Sequence, residues 1–169
     1  SGDAGIYALA TLVFELLDRE DRSDWNRVAV QVSPGISALQ AAASRIGAPL
    51  GHDFCAISLS DLLTPREDIL RRLKSAAEGD FVIAFYNPVS KRHRDLLANA
   101  RDILLEHRQA DTQVDLGRQF GRPDGEITVV PLTNLDIDKG DMLTSVLHGT
   151  GNSRHSTCGL NEWFGTQRG

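Results

Sequence analysis

Apolar positions recur along this chain in two alternating periods. Ile6, Leu9, Val13, Leu16 and Leu17 are spaced by three and four residues, which puts them on one face of a helix ending near Arg19. After the polar stretch Asp21 to Asp24, Val28-Ala29-Val30-Gln31-Val32 is short and β-branched, the composition of a buried parallel strand, and Ser33-Pro34-Gly35 breaks it. A second helix is predicted over Ile36 to Ile46, with Leu39, Ala42, Ala43 and Ile46 on one side and Gly47 and Pro49 stopping it.

From Gly51 the pattern starts again. Cys55 to Leu59 reads as a strand, and Thr64-Pro65-Arg66-Glu67 as a capping box with proline at the first helical position, opening a helix that runs through Ala77. Phe81 to Tyr86 is a central strand closed by Asn87-Pro88, and Leu96, Leu97, Ala100, Ile103 and Leu104 mark a further amphipathic helix. Three more strands are predicted over Thr112 to Leu116, Glu126 to Pro131 and Met142 to His148, the first two joined by the tight turn Gly121 to Gly125 as an antiparallel hairpin. From Asn152 onward the chain is polar and aperiodic, and a partly disordered tail is expected.

This alternation predicts an α/β protein: a first lobe over residues 1–50, a second lobe with a mixed sheet over 51–151, and a tail over 152–169. A Gly-Asp turn opening a helix is normally fed by a strand. The chain is therefore expected to begin inside its own ligand loop, with the first lobe incomplete.

Composition narrows the function. The formal charge is −5 and the pI near 5.5, and the basic residues of Arg66 to Lys74 and Lys91 to Arg108 are interleaved with acids, so no nucleic-acid partner is expected. No apolar run approaches the ~20 residues of a membrane span, and the start lacks a signal-peptide pattern, so neither a membrane nor export is expected. Cys55 and Cys158 are far apart, and the five histidines make no metal-ligand spacing. A reducing cytoplasm is the expected location, and no metal is expected.

The candidate chemistry lies where predicted strands end. Ser1-Gly2-Asp3-Ala4-Gly5 brings backbone N–H groups and a carboxylate to a helix start, and both a ligand loop and a plain helix capped by Asp3 fit it. Ser33-Pro34-Gly35-Ile36-Ser37-Ala38 is a second such turn, open between a ligand loop and an ordinary connector. Asp61 follows a strand where it could move a proton or sit on the surface, and Tyr86-Asn87 ends its strand the same way, with Tyr86 also readable as core. Arg118 and Arg122 suit carboxylate partners or a solvated hairpin.

Taken in order, SGDAGIYALA, VSPGISALQAAASRIGAPLGHDFCAISLSDLLTP, FVIAFYNPVSK and GRPDGEITVVPL resemble the tetrapyrrole methyltransferases of corrin biosynthesis, over residues 1 to about 154. The run GAPLGHDFCAISLSD with FYNP resembles the branch acting at C17 of precorrin-3B; a sibling acting at another ring carbon, and an inactive cofactor-binding fragment, are the alternatives. The resemblance implies two α/β lobes, a homodimer, S-adenosyl-L-methionine held between the lobes, and a tetrapyrrole substrate, precorrin-3B, methylated with ring contraction. By motif position Ser1, Gly2, Asp3, Ile6, Ser37, Ala38, Tyr86, Asn87 and Gln119 would meet the cofactor. Arg118 would meet a carboxylate arm of the substrate, and Asp61 would assist proton movement. Ala4 stands where the family pattern has proline, which only fixes the backbone there. With its front end absent, the chain is expected to bind cofactor weakly and to be inactive alone.

Overall fold

The computed structural model describes residues 2–88, 95–118, 126–136, 144–148, 153–158 and 161–166. In chain order these form α1 (Leu9–Glu20), α2 (Ala38–Ile46), β1 (Gly47–Ala48), β2 (Phe54–Ser58), α3 (Arg66–Glu78), β3 (Val82–Tyr86), α4 (Asp95–His107), β4 (Gln113–Arg118), β5 (Glu126–Pro131), β6 (Thr144–His148), β7 (Ser153–Cys158) and β8 (Asn161–Thr166).

A five-stranded sheet of order β2-β3-β6-β4-β5 organises the chain. Strands β2 and β3 are parallel, while β6, β4 and β5 run antiparallel to their neighbours, so the sheet is mixed as the sequence predicts. Strand β3 is apolar throughout because both its faces are covered. Ile83 and Phe85 pack with Ile69 and Leu73 of α3 and Leu96, Leu97 and Leu104 of α4, whereas Val82 and Ala84 pack with Leu39, Ala42 and Ile46 of α2. The registers β4 Gln113↔Pro131 to Arg118↔Glu126 make the predicted hairpin pairing, although its turn lies outside the described residues.

Two predicted features are corrected here. The capping box at Thr64 does not form: Pro65 is itself the N-cap, its carbonyl accepting from Asp68 and Ile69, so Thr64 stands one residue too far out to cap. The segment 28–32 is extended but pairs with no strand among the described residues, and Val28, Val30 and Val32 are exposed. A β-branched run fits a pleated surface, but only a partner's backbone makes it a strand. Helix α1 forms as predicted yet buries none of its residues; Leu9 and Leu12 are 65% and 53% exposed.

The tail is not disordered in the described residues. Strands β7 and β8 pair antiparallel from Ser153↔Thr166 to Cys158↔Asn161, and β8 lies parallel to β1. Polar strands without alternating hydrophobicity carry little periodic signal, and a spacing of two residues, Gly159 and Leu160, was the available hairpin cue.

Asp115 is an unexpected core residue. It is 3% exposed, and both its carboxylate oxygens are without a hydrogen-bond partner among the described residues. Register places it opposite Val129 of β5 and Leu147 of β6, and Leu147 in turn lies opposite Ala84, so Asp115 belongs to the sheet face that carries α2. Burial pushes its pKa up to about 7.

Candidate functional site

The two turns singled out from the sequence meet. Asp3 accepts from the Gly5 N–H through Oδ1 at 2.7 Å and from the Gly35 N–H through Oδ2 at 3.0 Å. These two bonds, the Gly35 one foremost, hold its pKa below the ordinary carboxylate value, so the loop carries a negative charge. The approach is close enough to require glycine: a Cβ on Gly35 would lie 2.3 Å from the Gly2 carbonyl oxygen, while Gly2 itself has φ +93.

Asp3 is therefore a tie between loops and not a helix cap. Helix α1 begins only at Leu9, its N-cap Ala8 has no side-chain cap bond, and Tyr7 with φ 51 interrupts the backbone between turn and helix. The residues between form a compact loop, with the Ile6 N–H reaching the Asp3 carbonyl at 3.4 Å and the Ala10 N–H reaching that of Ala4 at 2.9 Å. Ile6 stays exposed.

Ser37 has a local task. Its hydroxyl accepts from the Gln40 N–H and the Gln40 side chain accepts from the Ser37 N–H, a capping box that opens α2. Ser37 is 3% exposed and Ala38 half-buried, so this turn offers mainly its backbone to a ligand. The spacing Ser37 to Gln40 carries the capping signal in the sequence, whereas Thr64 and Glu67, at the same spacing, form no capping box.

The end of β3 joins the same place. The Leu39 N–H, at the start of α2, donates to the Tyr86 hydroxyl at 3.1 Å. Tyr86 is half-buried and packs against the cluster of Leu39, Ala42, Ile46, Val82 and Ala84, as its reading as a core residue expects. Asn87 lies at φ 51, and its side-chain amide donates to Ser58 Oγ at 3.2 Å, linking the carboxyl ends of β3 and β2. Strained backbone at the carboxyl end of a parallel strand pair is where ligands gather in α/β proteins.

Tyr7 is the residue that sequence reasoning missed. Its hydroxyl donates to the Ala56 carbonyl at 2.9 Å, and its ring stands 5.1 Å from that of Tyr86 at an interplanar angle of 46°. Partial burial raises the pKa of its phenol. The cue was present: an aromatic residue directly after a Gly-Asp turn and before a helix.

The structure thus brings Gly2, Asp3, Ile6, Ser37, Ala38, Tyr86 and Asn87 to one end of the β2-β3 pair. Asp61 is half-buried in the loop after β2, on that same end. Arg118 is the last residue of β4, its backbone opposite Glu126 and Thr144. Ser1, Gln119 and Arg122 lie outside the described residues. Among the described residues no cluster of His, Cys, Asp and Glu could hold a metal, and no helix is long and apolar enough to cross a membrane.

The sequence profile of the Tetrapyrrole (Corrin/Porphyrin) Methylases matches residues 1–136. The chain is similar to the precorrin-3B C(17)-methyltransferase of Sinorhizobium sp, 48% identical over 153 residues that are 90% of this chain and 60% of that protein. It is also similar to the probable cobalt-factor III C(17)-methyltransferase of Salmonella typhimurium, 46% identical over 149 residues, 88% of this chain and 60% of that one. The crystal structure of the methyltransferase CobJ superposes with a TM-score of 0.89 at 40% identity, over 99% of this chain and 67% of that chain. The chain spans about 60% of the length of these two curated relatives.

Proposed function

The chain belongs to the tetrapyrrole (corrin/porphyrin) methylases, and from that premise we propose that it serves the transfer of a methyl group from S-adenosyl-L-methionine to C17 of precorrin-3B, with ring contraction, in cobalamin biosynthesis. The observation that carries the reading is the Asp3–Gly35 tie, which gathers two glycine turns and Tyr86 around one strand end. The residues suit such a donor. An ionised carboxylate held by two backbone N–H groups favours a cationic ligand nearby, and open loop backbone and two phenol rings favour a nucleoside.

The bound donor would supply an electrophilic methyl group. The chain's task is then alignment, which can contribute about 7–11 kcal/mol to a reaction between two oriented partners. Gly2, Asp3 and Ile6 would hold the donor from the first turn, Ser37 and Ala38 from the second, and Tyr86 and Asn87 from β3; Ser1 and Gln119 complete the set by motif position. Asp61 would hold or release a proton during ring contraction, and Arg118 would pair with a carboxylate arm of the macrocycle. A homodimer is part of the same reading.

One relative is named for precorrin-3B and the other for cobalt-factor III, which favours as second reading a macrocycle that already holds cobalt. Ultraviolet cross-linking of donor labelled in its methyl group, followed by peptide mapping, is expected to mark residues 2–7, 33–38 or 86–87. Label confined to other segments contradicts the site. Supplying each macrocycle in turn and locating the new methyl by NMR decides between the two substrates, and a methyl at another ring carbon contradicts C17.

A further inference from the structure

Tyr7 is held firmly and yet left uncovered. Its φ of 51 lies in the left-handed region, which a bulky side chain adopts only under constraint from its surroundings. The constraint is visible in its hydroxyl. Asp53 accepts from Val82 and Leu59 donates to Tyr86, so alternate residues of β2 face β3 and the Ala56 carbonyl points to the open edge of the sheet, where the Tyr7 hydroxyl takes it. Its ring rests against Tyr86, whose own hydroxyl is fixed by the Leu39 N–H.

A ring held for packing alone would be buried, but Tyr7 remains 53% exposed. At 5.1 Å between centroids the two rings are in contact and leave no slot for a third ring between them. With Tyr86 against part of the ring, the surface that Tyr7 leaves exposed belongs to the same loop as Asp3.

We propose that Tyr7 is a shelf on which a planar π ring of the ligand stacks, with Tyr86 as its backing. The inference rests on the functional reading above for the presence of a ligand at this strand end, and it adds a contact residue and the chemical class that residue selects. Adenine of the donor and a conjugated tetrapyrrole ring both have that chemistry.

Two variants test it at this exposed position, with circular dichroism confirming the fold: Tyr7→Phe keeps the ring and loses the Ala56 bond, and Tyr7→Leu loses the π face. Each is titrated with S-adenosylhomocysteine and, separately, with uroporphyrin, whose Soret band shifts on stacking. Tyr7→Leu is expected to weaken one probe about tenfold, the scale of one stacked base, and to abolish the Soret shift if that probe is the porphyrin; Tyr7→Phe is expected to stay within about threefold. The probe that weakens identifies the stacked ring. If the unchanged chain binds a probe and Tyr7→Leu binds it equally well, the shelf is overturned and the functional reading stands. If the unchanged chain binds neither probe, both are overturned.

Discussion

Asp3 and Gly35, thirty-two residues apart, are joined by a 3.0 Å hydrogen bond from the Gly35 N–H to the Asp3 carboxylate, at a point where backbone touches backbone. Neither turn can shift without the other. The bond lies between two loops and contributes to no helix or sheet, so its consequence is for the shape of the site.

Asp3→Ala is expected to release the first turn and weaken S-adenosylhomocysteine binding by about tenfold or more, while the thermal midpoint changes little. Asp3→Asn, which keeps an acceptor, should fall between. Calorimetric titration of the three proteins checks this; equal affinities would remove the tie from the account.

Gly35→Ala should act on both shape and stability, because its Cβ would lie 2.3 Å from the Gly2 carbonyl oxygen, which is backbone and cannot rotate away. A cost of about 1–3 kcal/mol in urea unfolding is expected, together with loss of ligand affinity. A variant as stable and as tight-binding as the parent would show that the turns are not in contact.

Asp115 makes stability depend on pH in the direction opposite to an ion-paired acid. Its folded pKa of about 7 lies above the ordinary carboxyl value of 3.8, so the folded chain holds the proton more tightly than the unfolded chain. The resulting stability is present at low pH and is lost as pH rises from about 4 to 7. Relative to Asp115→Asn, the parent should lose roughly 2–3 kcal/mol between pH 5 and 7, which urea titrations at the two pH values measure. A constant difference between them would mean that Asp115 is ionised in the folded chain.

Two leucines separate burial from helix formation. Leu73 of α3 is fully buried in the sheet core, and Leu73→Ala should cost about 2–5 kcal/mol. Leu12 of α1 is more than half exposed, and Leu12→Ala should cost less than about 0.5 kcal/mol. Chemical denaturation of both variants compares them directly; a large loss at Leu12 would place a contact on α1 that the described residues do not make.

Periodicity made the helices and the central sheet legible, because α2, α3, α4 and β3 bury the faces that their apolar positions mark. The same signal misled at Val28 to Val32, since pattern records what a segment can bury and says nothing of whether a neighbour is there. Capping was misplaced at Thr64 because the extended backbone of Pro65 makes that residue the cap. Asp3, Ser37 and Tyr86 stand out in the sequence through the turns and strand end they occupy, but their bonding partners do not. The Asp3–Gly35 bond, the Tyr7–Tyr86 contact and the burial of Asp115 depend on how distant segments meet, which local patterns do not encode.

Residues 2–7, 33–38 and 86–87 are proposed to form one binding site for an S-adenosyl ligand. Isothermal titration of this chain with S-adenosylhomocysteine tests it most directly. Saturable one-to-one binding, weakened by Asp3→Ala at unchanged fold, is the result expected. Absence of saturable binding by the unchanged chain, or binding indifferent to Asp3→Ala and Gly35→Ala alike, would contradict it.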